Sequence, residues 1–237
     1  MEALDVESSI AEGEPALQAL ITCVRERAGK LEAHEAEQGI FKRLLPIGLA
    51  AMKLYFAQRG TGDVGPAVTQ ADGVFLPREQ KLRGRDYFSL FGKFAVPRTC
   101  YRTPGEPGLF PLDAQVNLPE RCYSYFLQEW MTVFAVEHPF KESAGFFGQL
   151  FDLEVAESMV MEVAKEAPQD YEDFYAQRPL SPADTEGEIL VVSFDGKGVP
   201  MIKAEAVKLK AKLGTGEKRQ RKKEALVGVS YTVDPKP

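Results

Sequence analysis

The sequence predicts a mixed α+β fold, with helices dominating the N-terminal part and two apolar strands near the C-terminal end. Apolar residues recur at helical spacing up to residue 59, whereas residues 86–102 are rich in aromatic and β-branched side chains. Two further apolar runs, 188–196 and 224–234, have the length and composition of strands. The overall composition, with 44% hydrophobic and 27% charged residues, is ordinary for a globular protein.

Residues 1–62 are predicted to form a mainly helical region, a hairpin of two amphipathic helices within 15–59. Its two apolar stripes are Leu17, Leu20, Ile21 and Val24, and then Phe41, Leu44, Leu45, Leu49, Met52 and Phe56. We expect Pro46 to kink or restart the second helix and Gly60 to end it. Such a hairpin either packs within the chain or joins two copies as a homo-oligomer.

Residues 73–178 are predicted to form a second domain, built from a β-hairpin with Gly92 at its turn and from several helices. One helix is expected over about 120–136, and two short ones within 139–167. Two short helices joined by a tight turn are typical of a helix-turn-helix. The residues expected to face inward are Phe140, Ala144, Phe147 and Leu150, and then Val155, Met159, Val160 and Val163.

The linker 178–187 is polar and contains proline, so we place a domain boundary there, after a helical piece at 171–177. The third region, 188–237, contains the two apolar strands, which we interpret as the opening hairpin of a mixed sheet.

The net charge of −6 hides a strong asymmetry along the chain. Residues 1–40 carry nine acids and three bases, whereas residues 203–223 carry nine Lys or Arg and two Glu. Local charge governs electrostatic binding, so the acidic total does not exclude DNA.

No apolar run approaches the roughly 20 residues that span a bilayer, so no membrane partner is expected. The start lacks an apolar leader, and the cysteines lack metal or disulfide spacing, which favours a reduced cytoplasmic protein.

Asp195 is the candidate catalytic residue, because it is an acid at the expected end of an apolar strand. A carboxylate there must be solvated, paired or bound to a cation, and Mg²⁺ prefers such oxygen ligands. The alternative is structural, since Asp-Gly is a strong turn dipeptide that could simply end the strand before Lys197 and Gly198.

Residues 192–201, Val-Ser-Phe-Asp-Gly-Lys-Gly-Val-Pro-Met, resemble the first-aspartate motif of the ISKra-type insertion-sequence transposases. In that family a basic stretch follows, and then a strand similar to residues 222–235. The upstream segments that resemble the family are Leu90-Phe91-Gly92-Lys93, Arg98-Thr99-Cys100-Tyr101-Arg102, Phe110-Pro111-Leu112-Asp113 and Pro139-Phe140-Lys141-Glu142-Ser143-Ala144. The resemblance covers roughly residues 85–237 in the same order.

The resemblance implies a DNA transposase with a ribonuclease-H-like domain, an Asp-Asp-Glu triad and a divalent metal. Asp195 is then the first acid and a metal ligand, and the partner is DNA at the transposon ends. The other two acids would lie beyond residue 237, since Asp234 follows Asp195 too soon. We therefore expect residues 188–237 to be the start of a truncated catalytic domain. The fragment itself would not cleave DNA, and Mg²⁺ is expected for the full-length enzyme only.

Two departures from the family pattern change the expected contacts. The connection before Phe110 lacks the Cys-x-x-Cys found in many members, so we predict no zinc. The expected recognition helix, 154–166, carries four Glu and one Lys, which disfavours phosphate contact.

The basic run near Asp195 is the better candidate for binding the DNA backbone; the alternative is a solvated loop. The residues are Lys208, Lys210, Lys212, Lys218, Arg219, Arg221, Lys222 and Lys223. Gly214 and Gly216 do not complete a phosphate-loop pattern, so no small-molecule substrate is expected.

Two non-enzymatic functions remain open. The chain could be a DNA-binding protein that does not cut and that interferes with intact transposase. It could also be a helical interaction protein in which residues 188–237 stay disordered, because two strands alone are marginally stable.

Overall fold

The computed structural model describes residues 1–179, 186–200 and 222–235. The chain divides into two compact units, Met1–Tyr171 and Glu172–Pro237. Helices and small antiparallel hairpins together confirm the mixed α+β class. No helix among the described residues is long and apolar enough to cross a membrane.

The N-terminal helical hairpin consists of α1, Val6–Arg27, and α2, Ala33–Arg59. The helix α1 starts earlier than its apolar stripe indicated, because Asp5 caps it by accepting a 2.8 Å hydrogen bond from the Ser8 amide. The helix α2 runs through Pro46 without a second start, and it ends at Gly60, where φ is 72°. The prediction that Pro46 restarts the helix is therefore wrong, and the stop at Gly60 is confirmed.

Four short strands follow in unit 1, and they form two hairpins. The strands are β1, Ala67–Thr69, β2, Phe75–Pro77, β3, Arg83–Ser89, and β4, Gly92–Arg98. The predicted hairpin is confirmed as β3–β4, with Gly92 at its turn and Arg83 paired with Arg98. The pair β1–β2 was not predicted. Phe56 of α2 packs in a buried cluster with Phe94, Val96 and Leu112, so the helical and β-hairpins share a core.

Helices make up the rest of unit 1. They are α3, Pro111–Gln115, α4, Tyr125–Glu137, α5, Phe140–Phe151, and α6, Glu157–Glu166, followed by a 3₁₀ turn, Ala167–Asp170. The helix α7, Tyr171–Gln177, belongs to unit 2 except for its first residue. The core of α4, α5 and α6 contains Leu127, Met131, Phe147, Val160 and Val163, each under 5% exposed. The inward prediction holds for Phe147, Val160 and Val163, but it is wrong for Leu150, which is 43% exposed.

Unit 2 contains an antiparallel hairpin of β5, Ile189–Pro200, and β6, Lys222–Val233. Its register runs from Ile189↔Val233 to Pro200↔Lys222. The two predicted strands and their pairing are confirmed. The first strand was expected to be buried and to end at residue 196, but it continues to Pro200 and is largely exposed.

Candidate functional site

Asp195 lies in the middle of β5, where it pairs with Val227 of β6. We had placed it at the end of the strand, with an Asp-Gly turn as the alternative. The ladder instead continues through Lys197↔Ala225, because pairing with β6 outweighs the local turn preference of the dipeptide. Both the strand end and the turn interpretation are therefore wrong, and Asp195 projects from a regular strand.

The face of the hairpin that carries Asp195 also carries two lysines. Side chains two residues apart share a face, which places Lys197 beside Asp195 at a Cα separation of roughly 7 Å. Lys223 pairs with Val199, four residues after Asp195, so it shares that face as well. All three side chains are exposed. This face can therefore offer one carboxylate to a cation and two ammonium groups to phosphate.

The described residues do not by themselves make a metal site. Among them, no group of three His, Cys, Asp or Glu side chains lies close enough to hold a metal ion. Mg²⁺ takes about six oxygen ligands, and a single carboxylate leaves most of them to water. Asp195 could supply one ligand to a metal-dependent site, and any other protein ligand would have to come from outside the described residues.

The basic run predicted to bind DNA lies mostly outside the described residues. That holds for Lys208, Lys210, Lys212, Lys218, Arg219 and Arg221. The last two members of the run, Lys222 and Lys223, begin β6. Lys222 pairs with Pro200, and Lys223 pairs with Val199 and so lies on the face of Asp195.

The helices α5 and α6 are the two short helices predicted within 139–167. Residues 152–156 join them, with Asp152 in the left-handed region at φ 53° and with Leu153 and Val155 buried. This turn packs into the core shared with α4. Whether α6 suits a DNA contact depends on its charge.

The exposed surface of α6 is acidic and already paired. Arg121, which precedes α4, donates to Glu166 at 3.0 Å and to Glu162 at 2.9 Å. The hydrogen bonds that Arg121 donates to Glu166 and then to Glu162 raise the pKa of Arg121, and Arg121 in turn lowers the pKa of Glu166. Of the basic residues, Lys165 alone lies on α6. Such a surface disfavours phosphate, and the ion pairs instead fasten α6 to the segment before α4.

Sequence reasoning missed a buried ion pair between Arg98 and Asp113. The Arg98 Nη1 lies 2.5 Å from Asp113 Oδ2, and the guanidinium stacks over Phe110 at 4.0 Å from the ring centroid. Arg85 also reaches Asp113 and donates to the carbonyls of residues 119–121. Both acid and base stand in segments that resemble the transposase family, yet nothing in their spacing of fifteen residues indicates that they meet. Their role is to fasten β3 and β4 to α3.

A second cluster of charges surrounds Glu79 at the open end of β3–β4. Its carboxylate accepts two hydrogen bonds from Arg83, at 2.7 and 3.1 Å, and a third from Arg102. These bonds, that from Arg83 above all, lower the pKa of Glu79 from 4.5 to about 2. Because the folded-state pKa is lowered, the contribution of Glu79 to stability is present above pH 4.5 and is lost as the pH falls toward 2.

We expect Glu79→Gln to unfold at lower urea concentration than the wild type at pH 7, since the neutral amide cannot pair with two guanidinium groups. This difference should shrink as the pH falls from 4.5 to about 2, where the wild-type carboxylate also loses its charge. Urea unfolding at several pH values measures it. Glu106→Gln, at an exposed loop residue, is the control and should change little at any pH. If the urea midpoints of Glu79→Gln and the wild type differ by the same amount at pH 4.5 and at about pH 2, the lowered pKa of Glu79 is contradicted.

No family model matches the chain, and no curated protein matches it either. The likeness to the ISKra-type transposases therefore depends on the motifs quoted from the sequence.

Proposed function

We propose that this chain is the N-terminal part of a DNA transposase, in which Asp195 is the first acid of a ribonuclease-H-like active site. The observation that carries the proposal is the placement of Asp195 in mid-strand on the first strand of an antiparallel hairpin, with Lys197 and Lys223 on the same face. A carboxylate beside cations suits a site where a metal ion and a phosphate group meet.

The exposed hairpin is consistent with a sheet that continues. Large apolar side chains are exposed on both of its faces, for example Phe194 at 67% and Val227 at 69%. A two-stranded hairpin is marginally stable in water unless something packs against it. In the proposal, later strands and helices of the same domain would cover these residues and supply the second Asp and the Glu.

We assign no cleavage to these 237 residues alone. Two-metal phosphoryl transfer needs carboxylates that bridge and hold two cations, and Asp195 is a single ligand. The second candidate function is DNA binding without cleavage. It is favoured because Asp195 is a single ligand. Under both candidates the basic run, with Lys223 at its end, would contact the DNA backbone.

The experiment is a salt titration of binding, followed by fluorescence anisotropy of a labelled duplex. The duplex carries the DNA that flanks the gene, and a shuffled duplex of equal length is the control. We expect the logarithm of the binding constant to fall linearly with the logarithm of the salt concentration, with a slope of about −0.9 for each phosphate neutralised. We also expect the double variant Lys197→Ala/Lys223→Ala to make this slope less steep. No binding at an ionic strength of about 50 mM would contradict both candidate functions, since electrostatic contacts are strongest there.

A further inference from the structure

Residues 78–102 form the most basic described segment of an acidic chain. They contain seven Lys or Arg and two acids, although the whole chain has a net charge of −6. Three of the seven pair with Asp113 or Asp86: Arg85 and Arg98 reach Asp113, and Lys93 pairs with Asp86. The other four are Arg78, Lys81, Arg83 and Arg102, and we call them the basic rim.

The fold brings the basic rim together at the open end of β3–β4. Arg78 forms a β-bridge with Tyr101, and the Arg102 amide donates to the Pro77 carbonyl. The ladder of the hairpin is thereby extended, so that residues twenty or more apart in sequence become neighbours. The side chains of Arg78, Arg83 and Arg102 are 44%, 50% and 37% exposed.

Two carboxylates hold the guanidinium groups of the rim in place without cancelling its charge. Glu79 binds Arg83 and Arg102, and Asp63 binds Arg78. Lys81 is exposed and forms no ion pair with any described residue. The rim therefore has four cations for two carboxylates, and an ammonium group that no carboxylate holds.

The shape of this surface favours a long polyanion over a small anion. Beside the rim is an open recess of about 370 Å³, and its lining includes Asp63, Glu79 and Arg78. Two carboxylates against one guanidinium group disfavour a small phosphate inside it. The arginine side chains of the rim are more than one-third exposed, so a charged backbone can lie across them.

We infer that the basic rim binds the phosphate backbone of duplex DNA, as a contact in unit 1 separate from the basic run of unit 2. The inference rests on the proposed function only for the identity of the polyanion. The guanidinium groups of Arg78, Arg83 and Arg102 are already held by Asp63 and Glu79, so these three side chains lose little entropy on binding. It also gives the N-terminal unit a DNA contact that the acidic surface of α6 does not.

The test uses the full chain, a labelled duplex and Lys81→Glu, with Lys30→Glu, at an exposed residue between α1 and α2, as a control of equal charge change. We expect Lys81→Glu to weaken binding about tenfold at about 50 mM salt and to lower the salt slope by about one. Lys81→Gln should give a smaller loss, and Lys30→Glu should stay within about twofold of the wild type. Circular dichroism checks that the variants are folded.

Each outcome is informative about the rim and about the basic run. If Lys81→Glu binds like Lys30→Glu while Gln substitutions at Lys218, Arg219, Lys222 and Lys223 abolish binding, the rim is not a DNA contact and the proposed function survives. If neither the wild type nor any variant binds the duplex, both the inference about the rim and the proposed function are contradicted. Because Phe75, just before the rim, is 63% exposed, phosphatidylglycerol vesicles form a second arm. A Lys81→Glu loss seen with vesicles and not with DNA would overturn the inference in favour of an anionic membrane surface.

Discussion

Phe147→Ala is expected to destabilise unit 1 by about 4 kcal/mol, because it removes a large ring from a site that cannot collapse. Phe147 is 0% exposed at the centre of the core of α4, α5 and α6. Its ring lies 5.4 Å from that of Phe134 and 6.1 Å from that of Phe151. Neighbours on rigid helices relax only partly, so most of the cavity would remain.

Urea unfolding can follow this loss through Trp130, the single tryptophan of the chain, which packs 6.1 Å from Phe151. Phe126→Ala is the matched control on α4. Its side chain is 56% exposed, so its cost should stay within about 0.5 kcal/mol. Equal costs for the two variants would mean that Phe147 is not the centre of the core.

Asp113→Ala is expected to destabilise unit 1 by about 3 kcal/mol, because it leaves the buried Arg98 guanidinium without a counter-charge. The Arg98 side chain is only 10% exposed, and its Nε already lacks a hydrogen-bond partner among the described residues. Burial lowers the pKa of Arg98, and Asp113 opposes that effect. Removal of the acid leaves the desolvation cost uncompensated.

The control is Asp86→Ala, which breaks an exposed pair with Lys93 whose side chains are 50% and 55% exposed. Such surface pairs contribute less than about 1 kcal/mol. The double variant Arg98→Met/Asp113→Leu should lose less stability than Asp113→Ala, since no unpaired charge remains. A double variant that is less stable than Asp113→Ala would contradict this reasoning.

Local signals predicted several elements well. The helical piece at 171–177 coincides with α7, and Gly60 ends α2 because glycine readily adopts a positive φ. The hairpin β3–β4 followed from its β-branched and aromatic residues and from Gly92. These features depend on a few neighbouring residues, which is why the sequence alone predicts them.

Other features depend on partners that are distant in sequence. The extension of β5 past Asp195 requires pairing with β6, and no local rule on Asp-Gly contains that information. The start of α1 was missed because its first residues lack an apolar stripe, although Asp5 caps them. The strands β1 and β2 have three residues each, too few for periodicity to be read.

The candidate site was predicted only in part. The strand pattern singled out Asp195 and the resemblance gave it a role, but neither placed it in mid-strand. Lys197 lies within the same motif as Asp195. Because the strand was predicted to end at residue 196, the period-two spacing that places Lys197 on the face of Asp195 was not applied. The ion pair of Arg98 with Asp113 could not be found, because two charges fifteen residues apart meet only in the folded protein.

The central claim is that Asp195 is a metal ligand in a DNA-cleaving site completed by residues beyond this sequence. The most direct measurement is Mg²⁺-dependent cleavage of flanking DNA by the polypeptide that the gene encodes when translation continues past codon 237. Asp195→Asn and Asp234→Asn are compared with the parent chain, since Asp234 is an exposed acid at the end of β6 with no proposed role. We expect Asp195→Asn to abolish cleavage and Asp234→Asn to retain it. Cleavage by Asp195→Asn at the rate of the parent chain would contradict the role of Asp195 as a metal ligand.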